Sequence, residues 1–315
     1  MAHVTTKYDQ TGVSPTRETP VPSLWADLLV SLRPDQWTKN LFVFAGLVFG
    51  EQLLEPGAVA RSCATFTIFC ALSSAMYLFN DLRDRTRDRL HPTKALRPIA
   101  AGRVSPSAAG TMAGLLLGVG ILGAFLLGPA MGVLSLAFAV LLTLYTWTLK
   151  EVVVLDVIAI AIGFVMRAVA GALVLGVAIS QWLLVCTFLL ALFLGLTKRR
   201  QEVVALGADA TGHRPVLARY SAALLDQMVT IVAGATLVSY AVYTTSPGTV
   251  AEFGTDRLTL TIPFPVYGVL RYLMLIHNDS SGPGPTDILL GDRPLAVCIV
   301  GWGLAVAVII YRPFG

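Results

Sequence analysis

The stretch "VVVLDVIAIAIGFVMRAVAGALVLGVA", residues 152–178, is apolar throughout except for Asp156 and Arg167. A helix of roughly 17 to 25 residues crosses the hydrocarbon core of a bilayer, so this stretch is long enough to span a membrane. Similar apolar runs recur near residues 40–56, 59–79, 106–127, 130–149, 181–197, 225–246, 260–277 and 294–312. Together these nine runs predict an all-α, polytopic membrane protein.

The composition agrees with this fold class. Of the 315 residues, 55% are hydrophobic and 13% charged, and the mean hydropathy is +0.72. Such a balance is typical of polytopic membrane proteins rather than of soluble domains. The four cysteines lie inside apolar runs without metal-ligand spacing, which favours small buried side chains.

The ends of the chain differ in character. Residues 1–22 are polar, contain three prolines and lack the apolar core of a signal peptide. We interpret residues 1–22 as a disordered cytoplasmic tail and residues 23–315 as a single transmembrane helical domain.

Basic residues concentrate in alternate loops, which indicates the orientation in the membrane. The loop after the second run holds seven bases between Arg83 and Arg103, and the loop after the sixth holds five between Lys198 and Arg219. The positive-inside rule assigns these loops to the cytoplasm, here of the plasma or inner membrane. The net charge of +4 then faces anionic lipid and cytosolic anions, and it requires no nucleic acid.

The most charged passage is "NDLRDRTRDRLHPTKALRPIAAG", residues 80–102, with three aspartates and six Arg or Lys residues. On a helix, Asn80, Asp84 and Asp88 share one face and Asp81 lies beside it. Oxygen ligands one turn apart suit a Mg²⁺ ion that also binds phosphate, and flanking bases suit the phosphate itself. The spacing alone is equally consistent with a helix end that carries i,i+4 Asp–Arg pairs.

The same passage resembles the aspartate-rich motif of the UbiA superfamily of intramembrane prenyltransferases. The continuation His-Pro-x-Lys and Arg-Pro-Ile-Ala, with "LRPDQWTKN" at 32–40, is similar to the decaprenyl-phosphate phosphoribosyltransferase branch. Weaker similarities are "MRAVAGA" at 166–172, "TKRRQE" at 197–202 and "LRYLMLI" at 270–276. The second aspartate-rich motif of the prenyl-transferring branches is absent, because Glu202 is the only acid in 197–202.

This resemblance implies a fold and an activity. The expected fold is about nine helices bundled around a central cavity open to the cytoplasm. The expected reaction is Mg²⁺-dependent transfer of 5-phosphoribose from phosphoribosyl diphosphate to a polyprenyl phosphate, with release of diphosphate. The branch also allows a homo-oligomer such as a trimer, in contact with membrane lipids.

The candidate site residues follow from the motif and the resemblance. Asp81, Asp84 and Asp88 are predicted to be catalytic, and Asn80, Asp84 and Asp88 to bind the metal. The predicted substrate-binding residues are Gln36, Lys39, Tyr77, Arg83, Lys94, Arg97, Arg167, Lys198, Arg199 and Glu202.

Several roles can be assigned more narrowly. Lys39 and Gln36 suit the lipid phosphate, because they lie at the membrane edge. Arg167 and Asp156, eleven positions apart, are about 16 Å apart along a helix and cannot pair. Arg167 is therefore expected to line the cavity or to meet a polar group on another helix, and Asp156 to cap a helix or face water. Arg33 is expected to contact lipid headgroups only.

Two alternatives remain open at this point. The first is a prenyltransferase that moves an isoprenoid chain from a prenyl diphosphate to an aromatic or small acceptor. The second is a transporter or lipid flippase, although the paired helix interruptions typical of transporters are missing.

Overall fold

The computed structural model describes residues 23–91, 93–178, 180–206, 215–278, 288 and 291–311. The predicted tail, residues 1–22, lies outside the described residues. The described part of the chain is helical and contains no strand. Its α-helices are α1 Leu24–Leu32, α2 Ala45–Phe49, α3 Pro56–Asp88, α4 Pro106–Leu127, α5 Pro129–Trp147, α6 Leu155–Leu175, α7 Gln181–Leu206, α8 Ala222–Thr245, α9 Pro247–Phe253, α10 Pro263–Asn278 and α11 Arg293–Tyr311.

Eight helical segments among the described residues are long and apolar enough to cross a membrane. They are α3 to α8, the stretch Arg257–Asn278 that includes α10, and α11. The prediction of an all-α, multi-pass membrane protein is therefore confirmed. With 33 residues, α3 is about 50 Å long, which exceeds a hydrocarbon core of about 30 Å. Its last turns, which carry the motif, extend past the apolar part of the bundle.

Short local signals set the helix ends. Ser105 accepts a hydrogen bond from the Ala108 N–H at 3.1 Å, and Pro106 occupies the first turn of α4. A serine cap followed by proline satisfies or removes free N–H groups at a helix start. Helix α6 ends at Gly176, whose φ of 67° lies in the left-handed region that glycine adopts without strain.

The first predicted span, residues 40–56, is wrong as a transmembrane helix. Residues Pro34–Phe44 form a 3₁₀-helix, followed by the five-residue helix α2. Because a 3₁₀-helix rises about 2 Å per residue, this short segment still runs along much of α3. Contacts with α3 run from Arg33, just before the segment, which pairs with Asp81, to Leu47 of α2, just after it, which clusters with Ala58.

The 3₁₀ segment is held between α3 and α6 by unusually close packing. A Cβ at Gly171 of α6 would lie 1.7 Å from the Val43 carbonyl oxygen, and one at Gly46 would lie 2.5 Å from the Ala172 nitrogen. Glycine at both positions therefore lets two backbones approach each other. The same segment packs its polar residues against the middle of α3, where Trp37 donates to Ser74 and Asn40 donates to Cys70.

Candidate active site

A cavity of about 320 Å³ lies where α3, α5 and α7 end and α6 begins. The 3₁₀ segment forms one wall, and the deep end reaches Arg167 and Phe164 of α6. The cavity brings together most of the side chains expected from sequence to form the site. Those lining it are Gln36, Lys39, Tyr77, Asn80, Asp84, Asp88, Lys94, Arg97, Arg167, Lys198 and Arg199.

The described lining is strongly basic. Its nine basic side chains are Arg33, Lys39, Arg87, Lys94, Arg97, Lys150, Arg167, Lys198 and Arg199, and its three acidic ones are Asp84, Asp88 and Glu151. A cleft with low-dielectric walls and charges of one sign attracts counter-ions. This cavity is therefore suited to substrates that carry several negative charges.

Asn80 and Asp84 face the turn between α5 and α6. The Lys150 ammonium lies 2.8 and 3.1 Å from the two carboxylate oxygens of Asp84 and 3.5 Å from Asn80 Oδ1. The turn that carries Lys150 is fixed on both of its sides. Before it, Arg83 donates to the Thr146 and Trp147 carbonyls. After it, Tyr220 Oη accepts a hydrogen bond from the Val154 N–H. Three oxygens thus converge on one cation.

Asp81 and Asp88 face a different pair of cations. Arg33 and Arg97 both donate to Asp81 Oδ1, at 2.5 and 3.1 Å, and Arg97 also donates to Asp88 Oδ2 at 2.7 Å. The Arg33 guanidinium lies 4.9 Å from the centre of the Tyr77 ring. The prediction that Arg33 contacts only headgroups is wrong, because Arg33 lines the cavity.

The deep end of the cavity is built around Arg167. Its guanidinium donates to Asn40 Oδ1 at 2.6 Å, to the Gly163 carbonyl at 2.8 Å and to Ser73 Oγ at 3.3 Å. It also packs over the Phe138 ring at 4.7 Å. Arg167 forms no ion pair with the described acids, so it remains a buried positive charge.

Lys39 lies near Arg167, on the 3₁₀ segment and outside the eight candidate spans. Burial, together with the nearby cations Lys198, Arg167 and Arg33, lowers the pKa of Lys39 to about 7. Gln36, one turn earlier, donates to Asp35 at 2.5 Å.

Arg199 joins α7 to α6. It is almost fully buried and donates to Asp156 Oδ2 at 2.6 Å and to Glu202 Oε2 at 2.5 Å. Tyr220 donates to the other Asp156 oxygen at 2.9 Å. The expectation that Asp156 caps a helix or faces water is wrong, since its carboxylate is fully buried in this network.

Three predicted site residues do not line the cavity. Asp81 is buried beneath Arg33 and Arg97, Arg83 is bound to the end of α5, and Glu202 pairs with Arg199. Lys150, Arg33 and Arg87, which do line it, were missed as site residues. The only sequence signal for Lys150 was an isolated cation at the end of an apolar run.

The described acids do not form a three-carboxylate metal site. No group of three or more His, Cys, Asp or Glu side chains within them could hold a metal ion. Asp88 accepts a hydrogen bond from Arg97, whereas Asn80 and Asp84 both face Lys150. Mg²⁺ commonly takes only one or two carboxylates from the protein and completes its shell with water and substrate phosphates. The Asn80 and Asp84 oxygens already converge on an ammonium group. They therefore fit a Mg²⁺ ion that is shared between the protein and a substrate phosphate.

The fold and the site define a polytopic α-helical membrane enzyme with a basic cavity at one end of its bundle. Residues 40–284 match the UbiA prenyltransferase family. The chain belongs to this family, which confirms the resemblance seen in the sequence.

Individual relatives agree over nearly the whole chain. The decaprenyl-phosphate phosphoribosyltransferase of Mycolicibacterium smegmatis is 31% identical, with 93% of this chain and 95% of the relative covered. The protein of the same name from Corynebacterium glutamicum is 29% identical, with 98% and 94% covered. A UbiA homologue from Archaeoglobus fulgidus, solved with GPP and Mg²⁺, has a TM-score of 0.69 at 18% identity, over 90% of this chain and 99% of that one.

Proposed function

We propose that the protein transfers 5-phosphoribose from phosphoribosyl diphosphate to a polyprenyl phosphate of the decaprenyl type, at a cavity facing the cytoplasm. The observation that carries the proposal is the charge of the cavity, with nine basic and three acidic side chains. A sugar with three phosphate groups and a lipid phosphate together match this excess. One prenyl diphosphate with an uncharged acceptor does not. The names of the two full-length relatives support the same reaction.

Asn80 and Asp84 are the residues that would hold Mg²⁺. When bound there, Mg²⁺ would supply Lewis-acid stabilisation of the leaving diphosphate. Lys150, beside the same oxygens, binds a diphosphate oxygen and neutralises part of its charge. Arg87 and Lys94 add positive charge to the same wall of the cavity.

The acceptor needs a cation close to the membrane. Arg167 and Lys39 provide positive charge at the deep end, and Gln36 provides an amide donor. A lipid phosphate held there keeps its chain in the apolar part of the bundle while its oxygens face the donor. Positioning of the two substrates then contributes most of the rate.

The transfer is a single displacement. An oxygen of the lipid phosphate forms a bond to C1 of the ribose while the bond from C1 to the diphosphate oxygen breaks, and the electron pair leaves with the diphosphate. The acceptor phosphate, with a second pKa near ~6, is largely deprotonated at neutral pH, so no protein base is required. The anionic acceptor also stabilises positive charge that develops on the sugar ring. Inversion at C1 is the expected stereochemistry.

The direct test supplies purified protein with Mg²⁺, labelled phosphoribosyl diphosphate and a polyprenyl phosphate. Label should enter the organic phase with wild-type protein. Asp84→Asn should reduce the rate by at least about a hundredfold, because the carboxylate charge at the metal position is lost. The matched control is Asp256→Asn, the same change at an exposed position at the opposite end of the bundle, which should retain the wild-type rate.

A second candidate is transfer of an isoprenoid chain, which the structural relative solved with GPP favours. The same assay with labelled geranylgeranyl diphosphate and an aromatic acceptor separates the two activities. Consumption of the prenyl diphosphate without use of phosphoribosyl diphosphate would overturn the proposed function. The single acid of 197–202, Glu202, is already paired with Arg199, which disfavours a second metal cluster there.

A further inference from the structure

The last turns of α3 present two neighbouring stripes of polar side chains. Asn80 and Asp84 form one stripe, which faces Lys150. Asp81 and Asp88, seven residues and about 10 Å apart along the axis, form the other, which faces Arg33 and Arg97. The motif therefore serves two separate clusters of cations.

The second cluster is ordered in advance. A single oxygen, Asp81 Oδ1, accepts from both Arg33 and Arg97, and the Asp81 side chain is only 4% exposed. Arg33 has a left-handed φ of 56°, so the chain direction changes at this residue. The Nε and Nη1 groups of Arg33 donate to none of the described residues. Both guanidinium groups line the cavity.

We propose that Arg33 and Arg97 form a subsite for the 5-phosphate of the sugar donor, with Asp81 as the residue that positions them. This inference rests on the proposed function. Guanidinium groups bind phosphate through paired N–H donors. A donor with a diphosphate at C1 and a monophosphate at O5 carries two anionic groups across one sugar, and the two clusters on α3 match them.

The other anionic groups suit this subsite less well. The lipid phosphate must stay near the apolar part of the bundle, whereas Arg97 lies in the connection beyond the end of α3. A prenyl diphosphate has one anionic group, which the Asn80–Asp84–Lys150 cluster already accommodates. The subsite therefore selects a phosphorylated sugar over a prenyl chain.

The test compares two probes that differ only by the phosphorylated sugar. The affinities of inorganic pyrophosphate and of phosphoribosyl diphosphate are measured with Mg²⁺ on the full-length protein in detergent, by calorimetry. Wild-type protein should bind phosphoribosyl diphosphate more tightly. Arg33→Met and Arg97→Met should each lower the affinity for phosphoribosyl diphosphate at least about tenfold and change the affinity for pyrophosphate less than about twofold. The reason is that each variant loses a charged hydrogen bond to phosphate at one end of the donor only.

Asp81→Asn tests the positioning role. Asp81→Asn should reduce the preference for phosphoribosyl diphosphate over pyrophosphate, as the arginine variants do. Asp81→Glu should restore part of that preference. The control is Arg103→Met, because Arg103 pairs with Asp27 at the same end of the bundle but outside the cavity. If Arg33→Met does not fold, Arg33→Lys, which keeps the charge without the paired donors, should show a smaller loss of the same kind.

Two results would overturn the subsite, and they are distinguishable. If wild-type protein prefers phosphoribosyl diphosphate but the arginine variants leave the ratio unchanged, the donor is right and the subsite is wrong. If wild-type protein binds both probes equally, the proposed donor is wrong, and the proposed subsite is wrong as well.

Discussion

Lys39 shows how the fold controls the charge of a single side chain. Lysine in water is protonated up to about pH 10, but burial among Lys198, Arg167 and Arg33 lowers the pKa of Lys39 to about 7. Binding of an anionic phosphate favours the protonated form again. The affinity of this part of the cavity for a phosphate should therefore depend on pH.

We expect the KM for polyprenyl phosphate to rise above pH 7, by up to about tenfold per pH unit, because neutral Lys39 must take up a proton on binding. Below pH 7 Lys39 is already charged and this dependence disappears. Lys39→Arg, which stays protonated, should flatten the rise. Titration of the substrates affects both proteins alike, so identical slopes between pH 7 and 9 would exclude Lys39 as the titrating group.

Asp156 illustrates a buried charge that has a structural role. Its carboxylate is fully buried and receives hydrogen bonds from Arg199 and Tyr220. Removing one partner of a buried ion pair leaves the other charge uncompensated, at a cost of about 3–5 kcal/mol.

Asp156→Asn should therefore lower the thermal unfolding temperature clearly, measured by size-exclusion chromatography after heating in detergent. Asp226→Asn is the comparison, since Asp226 pairs with Arg200 at a more exposed position. Loss of an exposed pair is worth about 0–1 kcal/mol. Equal unfolding temperatures for the two variants would contradict the structural role of Asp156.

Among the larger elements, the 3₁₀ segment Pro34–Phe44 determines the shape of the cavity wall. It carries Gln36 and Lys39 and follows directly after Arg33. Its position depends on the missing side chain of Gly171, where a Cβ would lie 1.7 Å from the Val43 carbonyl oxygen. Both atoms belong to backbones, so a flexible side chain cannot relieve the clash.

Gly171→Ala should destabilise the protein by at least about 1–3 kcal/mol through overpacking, and it should reduce transfer activity because the cavity wall moves. Gly114→Ala is the matched control. A Cβ at Gly114 of α4 meets no atom within 4 Å, so this change should be neutral or slightly stabilising through a lower backbone entropy of the unfolded chain. Thermal unfolding and the organic-phase assay measure both effects, and similar behaviour of the two variants would refute the close-packing argument.

For the whole molecule, the distribution of bases predicts that the cavity end faces the cytoplasm. Leu90, just after α3, is 85% exposed at that end. Asp256 is exposed at the opposite end. The two positions therefore report opposite sides of the membrane.

Leu90→Cys and Asp256→Cys, each in a Cys63→Ser background, can be probed in intact cells with an impermeant maleimide. Asp256→Cys should react from outside, and Leu90→Cys should react only after permeabilisation. The reverse pattern would place the cavity on the outer side and would remove access to cytosolic phosphoribosyl diphosphate.

The fold class, eight of the helices, each to within three residues of at least one end, and eleven of the side chains that line the cavity could be predicted from the sequence alone. Apolar length and one-turn spacing depend only on local chain geometry, so they can be read from one sequence. The prediction of the first span is wrong because its 3₁₀ segment packs against Gly171, far along the chain, and local spacing does not specify that contact.

How the acids of the motif divide depends on tertiary contacts. On an isolated helix, Asp81, Asp84 and Asp88 are close to equivalent, and the spacing grouped Asp88 with Asn80 and Asp84. The cations that separate them come from distant segments: Lys150 from the α5–α6 turn, Arg33 from the end of α1 and Arg97 from the connection after α3. Local spacing does not specify such partners, because an ion pair depends on distance in space and not along the chain.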